Sequence, residues 1–339
     1  MIRASLYTPL LRWKRDLLAD ALGLAGPPVW ALHTQGSARI SQQYPEHLAT
    51  LEMGDVVVFW VDDMLPWPGI VTKPDEVAGL SADFAISPMS WILTKRICTP
   101  PQQMMSLGEI LQFLERAANS RVKTPIREFG VGVGVGSVSG GMAIDLKGLR
   151  STGGVKISDV LNFIARDYHL NWAVRWGGAE DNDKAYGILR ILPEESRMPI
   201  RTFSLEDTVG EVEIASDLDK TINSLIVISN QGSLFNRTRV LIEDEASIGQ
   251  YGLLQGTIET IGAKTEAEAK KLLKRFSRPQ ITIAAAIKRE KARGVFPGET
   301  IKLVLDAGRT YMMNITGMTL TSDLSAVVLK GDSYEEVAV

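Results

Sequence analysis

Residues 219–230 read DKTINSLIVISN and residues 237–244 read RTRVLIED, and together they carry the clearest strand signal in the chain. In the first stretch, bulky apolar residues occupy most of positions 222–228 and stop at a turn signal over residues 230–232. The second stretch alternates, and one of its faces carries Thr238, Val240 and Ile242. The two stretches therefore predict two strands joined by a turn.

A helix is predicted downstream, over residues 265–277. Thr265 and Glu268 have the spacing of a capping box, in which the threonine hydroxyl accepts an early backbone N–H and the glutamate reaches back to the N–H of the cap. Apolar residues then recur at helical spacing, at positions 269, 272, 273 and 276. Arg278 and Pro279 end the helix, because the residue before a proline disfavours helical backbone.

Beyond residue 280 the apolar period changes to two, which is typical of strands. Strand patterns cover residues 281–287, 301–305, 311–315, 318–320 and 326–329. A Phe-Pro-Gly-Glu turn at residues 296–299 separates the first two. The region as a whole predicts a closed antiparallel barrel or sandwich of about six to eight strands that carries one helix.

The N-terminal region repeats this mixture of signals. An apolar stripe over Leu10–Leu24 predicts a helix, which Gly26, Pro27 and Pro28 would end. Residues 29–71 are rich in strand formers and include a hairpin of residues 56–61 and 67–71. Such a terminal helix is interpreted either as an arm that docks on a neighbouring subunit or as a helix packed on its own barrel.

The middle of the chain predicts two helices and a hairpin. Ser106 and Glu109 form a capping box for a helix that runs to about Ser120, and Ser158-Asp159 is interpreted as the cap of the second helix. Residues 170–176 and 185–192 read as the two strands of the hairpin.

Two loops in this region resemble ligand-binding motifs and fail the test for each. Residues 130–141 read GVGVGVGSVSGG, but they do not fit G-x-G-x-x-G and no Gly-Lys-Ser/Thr follows. The hairpin tip at residues 177–184 resembles a calcium loop, yet Ala185 stands where an oxygen ligand is needed and Gly187 comes one position late. We interpret the glycine stretch as a flexible loop or a strand approached closely by another chain.

The sequence shows no constellation of residues typical of an active site. His33, His47 and His169 are scattered and have no metal-ligand spacing. Asp62 and Asp63 are interpreted as a solvated hairpin tip, since adjacent strand residues point to opposite faces. Cys98 is the single cysteine, and we interpret it as a small buried hydrophobe. We therefore predict no catalytic residues, no cofactor and no metal site.

The composition narrows the function classes further. The chain has 37 basic and 40 acidic residues, so it lacks the basic excess that proteins gripping nucleic acid show. The N-terminal stretch lacks the organisation of a signal peptide, because charged residues interrupt it. No apolar run approaches the ~20 residues that a membrane span requires. We expect a protein that is made and folded in a cytoplasm and that has no membrane span.

The order of these features resembles the baseplate hub, or tail-tip, proteins of tailed bacteriophages. The matching features are a strand that contains Asn223, the SI-x-x-YG segment at 247–252, the helix ending at Arg278-Pro279, the Pro-Gly-Glu turn at 297–299, the Gly54-Asp55 hairpin and the stretch 91–96. Each motif is degenerate, and the weight rests on their order over roughly two-thirds of the chain.

The resemblance implies an α+β, mainly β fold with several domains and two small antiparallel β-barrels or sandwiches, each with a helix. The predicted domains are an N-terminal helical arm (1–28), a first tube-like β-barrel (29–105), a middle α+β region with the Gly-rich loop (106–199) and a second tube-like β-barrel (200–339) with helix 265–277.

The function that the resemblance implies is structural. Three subunits would form a pseudo-six-fold ring that joins the tail tube to the tip or spike of a virion. The implied partners are the chain itself as a homotrimer, the distal tail protein or tail tube ring, the tape measure protein, the central tip or spike protein, and DNA that passes through the lumen without specific binding. Since basic side chains in the lumen would bind phosphates, we expect no basic stripe there. Two alternatives stay open: a tail-associated cell-wall hydrolase, and another tail ring such as the distal tail protein.

Overall fold

The computed structural model describes residues 2–18, 24–42, 51–77, 81–101, 103–119, 126–131, 142–146, 149, 154–177, 186–193, 198–230, 237–261, 266–306 and 309–336. Within these ranges β structure predominates and four α-helices accompany it. The predicted fold class, α+β and mainly β, is confirmed.

The N-terminal strands are β1 (Ile2–Tyr7), β2 (Trp13–Leu18), β3 (Leu24–Ala31), β4 (Ser37–Gln42), β5 (Val56–Val61), β6 (Trp67–Val77) and β7 (Ser81–Pro88). A 3₁₀ helix over Met89–Thr94 leads into the middle region. Its elements are β8 (Ile97–Cys98), β9 (Met104–Ser106), α1 (Leu107–Asn119), β10 (Ile126–Val131), β11 (Ala143–Asp145), β12 (Val155–Lys156), α2 (Ile157–Tyr168), β13 (Leu170–Trp176) and β14 (Gly187–Pro193).

The C-terminal part begins with β15 (Arg201–Ser204), a 3₁₀ turn (Leu205–Asp207) and β16 (Glu213–Asp217). An α/β unit follows, made of β17 (Ser224–Asn230), β18 (Arg237–Glu243), α3 (Glu245–Tyr251), β19 (Gln255–Ile261) and α4 (Glu266–Phe276). The chain then adds β20 (Gln280–Lys288), β21 (Thr300–Asp306), β22 (Arg309–Leu320) and β23 (Ala326–Glu336).

One 13-stranded sheet joins the two ends of the chain. Its order is β16-β20-β23-β22-β3-β4-β7-β6-β5-β1-β2, with β21 paired to β22 and β15 paired to β21. The joint between the two parts is β22 against β3, where Gly317 pairs with Ala31 and Thr319 with Val29. Among the described strands this path has two ends and does not close on itself, so the predicted closed barrels are wrong for the structure of the single chain.

The core follows this architecture. The largest buried cluster draws on both parts of the sheet, from Ile2 to Leu329. A second cluster lies where α1 and α2 pack against the strands of the middle region and the outer side of β5. A small third cluster belongs to the α/β unit and consists of Leu225, Val227, Ile242, Ala269 and Leu273.

The predicted N-terminal helix is wrong. Residues Trp13–Leu18 form β2, which pairs antiparallel with β1 so that Arg15 is opposite Leu6. The Ser5 hydroxyl donates to Asp16 at 2.6 Å and fixes the pair. A local apolar stripe is a weak signal that strand pairing with a distant partner overrides. The proposed stop signal, residues 26–28, lies inside β3, where shifts of register with β4 accommodate it.

The middle region agrees with the sequence in most respects. Helix α1 has the predicted capping box, because Ser106 N–H donates to the Glu109 carboxylate at 2.8 Å and Glu109 N–H donates to Ser106 Oγ at 3.3 Å. Strands β13 and β14 form the predicted hairpin, and β10 adds to it in parallel. The predicted Ser158-Asp159 cap is wrong, since α2 starts at Ile157 after Lys156, whose side chain makes no capping bond. The calcium-like tip at 178–184 and residues 132–141 of the glycine stretch lie outside the described residues.

The α/β unit differs in part from what residues 219–244 predict. The predicted strands are present, but β17 pairs with β18 antiparallel and with β19 in parallel, in a three-stranded sheet separate from the large one. Helix α4 confirms the predicted helix, although Thr265 of its capping box lies outside the described residues. Residues 247–251, which belong to the SI-x-x-YG segment, lie in α3.

Candidate assembly surface

Two groups of strands in the large sheet have the same order along the chain and in space. We call β3–β7 the first repeat and β16 with β20–β23 the second repeat. In the first, the spatial order is β3-β4-β7-β6-β5, and in the second it is β16-β20-β23-β22-β21. Neighbouring strands within each repeat are antiparallel. The α/β unit occupies the connection that follows β16, whereas the matching connection after β3 is a short turn.

The turn before the first hairpin strand is built identically in both repeats. Gly54 N–H donates to Val71 O at 2.8 Å, and Gly298 N–H donates to Ile315 O at 2.7 Å. Gly54 has φ of 93° and Gly298 has φ of 92°, a left-handed backbone that glycine adopts without strain. These bonds set residues 54 and 298 as equivalent.

An acidic residue follows each glycine and closes the turn from its side chain. The Asp55 carboxylate accepts the Glu52 N–H at 2.9 Å, and the Glu299 carboxylate accepts the Phe296 N–H at 2.8 Å. The Gly54-Asp55 motif and the Pro-Gly-Glu turn at 297–299 therefore form the same turn, once in each repeat.

The equivalence extends along the strands. The β6–β7 ladder shifts register between Val71 and Lys73, and the β22–β23 ladder shifts between Ile315 and Gly317. A threonine lies at each shift: Thr72 Oγ1 donates to Ala85 O at 3.3 Å, and Thr316 Oγ1 donates to Lys330 O at 3.3 Å. The shared irregularity fixes the alignment of the repeats residue by residue.

The alignment assigns Leu218 to the position of Leu32. Through β7–β4 and β23–β20, Ser37 corresponds to Thr282, and their partners Val29 and Ala215 correspond in turn. Three residues later come Leu32 and Leu218, and each starts a similar turn: Gln35 N–H donates to Leu32 O at 3.3 Å, and Thr221 N–H donates to Leu218 O at 2.9 Å.

The equivalent residues differ sharply in exposure. Leu32 is 6% exposed, and Trp30 before it is 2% exposed, because β22 and the core cover them. Leu218 is 43% exposed, and residues 213–216 of β16 are all exposed. Within the described ranges β20 is the only strand paired with β16, so one edge of β16 is open. We call β16 together with Leu218 the β16 edge.

The two acidic turns have different electrostatic surroundings. Asp55 is fully buried, and Lys14 Nζ lies 2.7 Å from its carboxylate. Burial alone would lower the pKa of Lys14, but the hydrogen bond and charge of Asp55 outweigh it and raise that pKa. Burial raises the pKa of Glu299, while the Phe296 N–H and the charges of Arg175 and Arg201 act in the opposite sense.

A buried polar cluster in the α/β unit gathers the motif residues of that region. Asn223 Nδ2 donates to Gly252 O at 2.7 Å, and its Oδ1 accepts the Leu254 N–H at 2.7 Å. Asp244 caps α3 by accepting the Ser247 N–H at 3.1 Å, and Ser247 Oγ donates to Ser277 O. Apart from the cap of α3, these contacts join segments that are distant in sequence, so the cluster is a structural node.

The described residues that were considered as catalytic candidates lie on different elements of the fold. Burial raises the pKa of the Cys98 thiol to about 11, which disfavours a thiolate nucleophile. The His33 ring packs against Trp172 with centroids 5.2 Å apart and a tilt of 31°, and burial lowers the pKa of His33. His169 ends α2 in a left-handed conformation, and His47 lies outside the described residues. Asp62 and Asp63 are exposed at the β5–β6 turn, as the sequence indicated.

The described part of the chain offers neither a metal-binding cluster nor a membrane-spanning helix. No group of His, Cys, Asp or Glu side chains there is arranged to hold a metal ion. None of the described helices has the length and apolar character needed to cross a membrane.

Solved structures supply the decisive comparison. The chain matches the tail protein from Neisseria meningitidis MC58 with a TM-score of 0.63, at 12% identity, over 99% of this chain and 97% of that one. The chain has the fold of phage tail proteins. It also matches prophage tail protein gp18 from Listeria monocytogenes EGD-e (TM-score 0.61, 11% identity, 99% and 95% covered). A third match is the 43 kDa tail protein of prophage MuSo2 from Shewanella oneidensis (TM-score 0.60, 11% identity, 98% of each chain covered).

This tail-protein fold extends over nearly the whole chain, so the recognised resemblance is confirmed at the level of fold. No family model matches the sequence, and no curated protein sequence matches it. At identities this low, the shared fold carries no individual residue role from those proteins to this chain.

The β16 edge was not predicted from the sequence. Residues 211–214 read EVEI, an alternation of acidic and β-branched residues that is typical of a strand. That pattern could have revealed β16. The sequence could not show that one edge of β16 lacks a paired strand among the described residues, because strand pairing is decided by residues far away in sequence.

Proposed function

We propose that this chain is a structural component of a phage tail, a baseplate hub that forms a homotrimeric ring with pseudo-six-fold symmetry. The ring joins the tail tube to the tip or spike and lets the tape measure protein and then DNA pass. In this role the protein works in the virion and performs no turnover. Its neighbours would be the distal tail protein or a tube ring on one side and the spike on the other.

The internal repeat is the observation that carries this proposal. Two strand groups with the same order, the same glycine turn and the same register shift lie side by side in one sheet. A chain that contains two copies of one ring unit supplies six units from three subunits. A three-fold ring of such chains can therefore match a six-fold tube, provided that the interface rotation closes.

The open β16 edge supports assembly as well. A strand edge with exposed apolar side chains is a liability in an isolated protein, since it pairs with other chains. Leu205, Val209, Ile214 and Leu218 are all exposed along residues 205–218. Such a surface suits a protein that is completed by its neighbours.

The first test is the mass of the purified protein in solution, measured by light scattering over a concentration series. The proposal expects three times the 37.1 kDa of the chain, and electron-microscopy averages that show a ring with six similar lobes. A hexamer would point to a tube or distal-tail ring instead. Release of fragments from purified peptidoglycan would contradict the structural role.

A further inference from the structure

We propose that the β16 edge of one subunit pairs with β6 of a second copy of this chain, and that this intermolecular strand pair repeats the internal joint between β22 and β3. The inference rests on the proposed ring function and adds the residues that form its interface. It commits to head-to-tail contact, in which each subunit offers two different surfaces.

The internal joint provides the template. In it, β3 lies antiparallel beside the part of β22 that extends past β21, with Ala31 opposite Gly317 and Trp30 opposite Met318. Leu32 N–H continues the ladder by donating to Thr316 O at 3.1 Å. The joint therefore attaches the first strand of one repeat to the long hairpin strand of the other.

Both partners of that joint have equivalents with open edges. The equivalent of β3 is β16, whose outer edge is open among the described residues. The equivalent of β22 is β6, which pairs with β5 only as far as Ile70 while its pairing with β7 continues to Val77. Past Val71, no described strand lies on the β5 side of β6.

The alignment gives the register of the intermolecular pair. Gly317 corresponds to Lys73 and Ala31 corresponds to Asp217, so Lys73 of one copy lies opposite Asp217 of the next. In the same register Ser216 lies opposite Pro74, and Leu218 N–H points at the carbonyl of Thr72. Each intermolecular residue pair is thus predicted by the equivalent pair in the joint between β22 and β3.

Pro74 replaces Met318 in this alignment and has no N–H to donate. In an antiparallel ladder, every second residue of a strand points its N–H at the neighbouring strand, as Leu32 does in the internal joint. A residue at position 74 of β6 would point its N–H at β16 in this way. Because that residue is proline, the external pair has one hydrogen bond fewer than the internal pair. A proline at that place also discourages unspecific pairing on an edge strand.

Leu218 gives the contact its apolar component. Its equivalent, Leu32, is 6% exposed beside β22, whereas Leu218 is 43% exposed in the single chain. Docking of β6 and the residues behind it would cover Leu218 in the same way. Contact with a second copy is therefore the one arrangement for which the chain itself supplies a worked example.

Disulfide trapping between two different single variants tests the register. Lys73→Cys and Asp217→Cys proteins are prepared separately, mixed and oxidised mildly. We expect a disulfide-linked dimer in the mixture and little in either variant alone, because the two surfaces differ. The double variant Ala31→Cys/Gly317→Cys is the positive control, since it places the same geometry inside one chain.

A second experiment measures the apolar contact. Leu218→Glu should raise the concentration at which the oligomer dissociates by about tenfold or more, because a buried leucine would be replaced by a charge. Its unfolding midpoint as a monomer should stay that of the wild type. Leu253→Glu is the matched control, since Leu253 is 56% exposed and lies outside the proposed contact.

The outcomes separate the two proposals. A trimer that gives no mixed disulfide, and that tolerates Leu218→Glu, overturns this interface while the ring function stands. A chain that stays monomeric at all concentrations and gives no mixed disulfide overturns both. Disulfides within the Asp217→Cys variant alone would show a symmetric contact and reject the head-to-tail arrangement.

Discussion

Asp55 and Glu299 make the same hydrogen bond in the two repeats, each accepting the backbone N–H of the residue three positions earlier, at 2.9 and 2.8 Å. The bond closes a turn that begins the hairpin of each repeat. Because Asp55 is fully buried beside Lys14 and Glu299 is partly buried near arginines, the same substitution should have different consequences at the two sites.

Asp55→Ala should lower the free energy of unfolding by about 2 to 3 kcal/mol, since it leaves the Glu52 N–H and the Lys14 ammonium without their buried acceptor. Urea denaturation measures the change. Asp55→Asn keeps an acceptor and should cost less. Glu52→Ala removes only the exposed ion pair at 3.4 Å, and about 0.5 kcal/mol or less is expected there. An equal loss for Glu52→Ala and Asp55→Ala would refute the assigned role.

Glu299 predicts a pH dependence with a definite sign. Burial raises the pKa of its carboxyl above the ordinary 4.5, so the folded state holds the proton more tightly than the unfolded state. Its contribution to stability is greatest below the unfolded pKa and declines as pH rises through the folded pKa. Relative to Glu299→Gln, which does not titrate, the wild type should therefore lose stability as pH rises from 4 towards 7. Urea unfolding of both proteins at several pH values checks this, and a constant difference would contradict it.

The sequence predicted elements more reliably than partners. The Ser106 and Glu109 capping box and the apolar period of residues 281–287 are local patterns, and both produced the expected element. The apolar stripe over Leu10–Leu24 predicted a helix, but residues 13–18 pair with β1 in a strand ladder instead. The repeat could be inferred from the sequence only through a family resemblance. Equivalent residues such as Val71 and Ile315 share apolar character and the same backbone hydrogen bond, and hydrogen bonds are not visible in a sequence.

The candidate surface could not be predicted for a related reason. Sequence gives the alternation in residues 211–214 but not which edge of the strand stays open. That edge exists because the α/β unit and β20 leave one side of β16 without a strand among the described residues, and this depends on the whole topology.

Gly54→Ala and Gly298→Ala should both destabilise, and Gly298→Ala should do so more. Each forces alanine into a left-handed backbone, at about 1 to 2 kcal/mol. A Cβ at residue 298 would also lie 2.7 Å from Leu192 Cδ1, whereas at residue 54 the nearest atom is Pro9 Cγ at 3.4 Å. Thermal unfolding compares them. Gly249→Ala is the control, because that glycine is helical with nothing within 4 Å, and it should be neutral or slightly stabilising. Equal losses at 54 and 298 would argue against the proposed crowding.

Cys98 should be inert in the folded protein. The side chain is 5% exposed, and burial raises its pKa to about 11, so little thiolate exists near pH 8. A thiol-specific chromogenic reagent should react slowly with the native chain and rapidly after addition of urea. Leu253→Cys provides an exposed thiol in the same protein for comparison. Fast labelling of Cys98 without unfolding would show that the β8–β12 contact opens readily.

Asn223→Ala tests whether the α/β unit unfolds as a separate part of the protein. The substitution leaves the Gly252 carbonyl and the Leu254 N–H without their side-chain partner in a fully buried place, and about 2 to 4 kcal/mol should be lost locally. Because this unit has its own sheet and its own core of Leu225, Val227, Ile242, Ala269 and Leu273, the loss should be confined to it. Hydrogen exchange should therefore quicken in β17–β19 while β20–β23 keep their protection. Uniform loss of protection across both sheets would contradict this prediction and would mean that the unit and the large sheet unfold together.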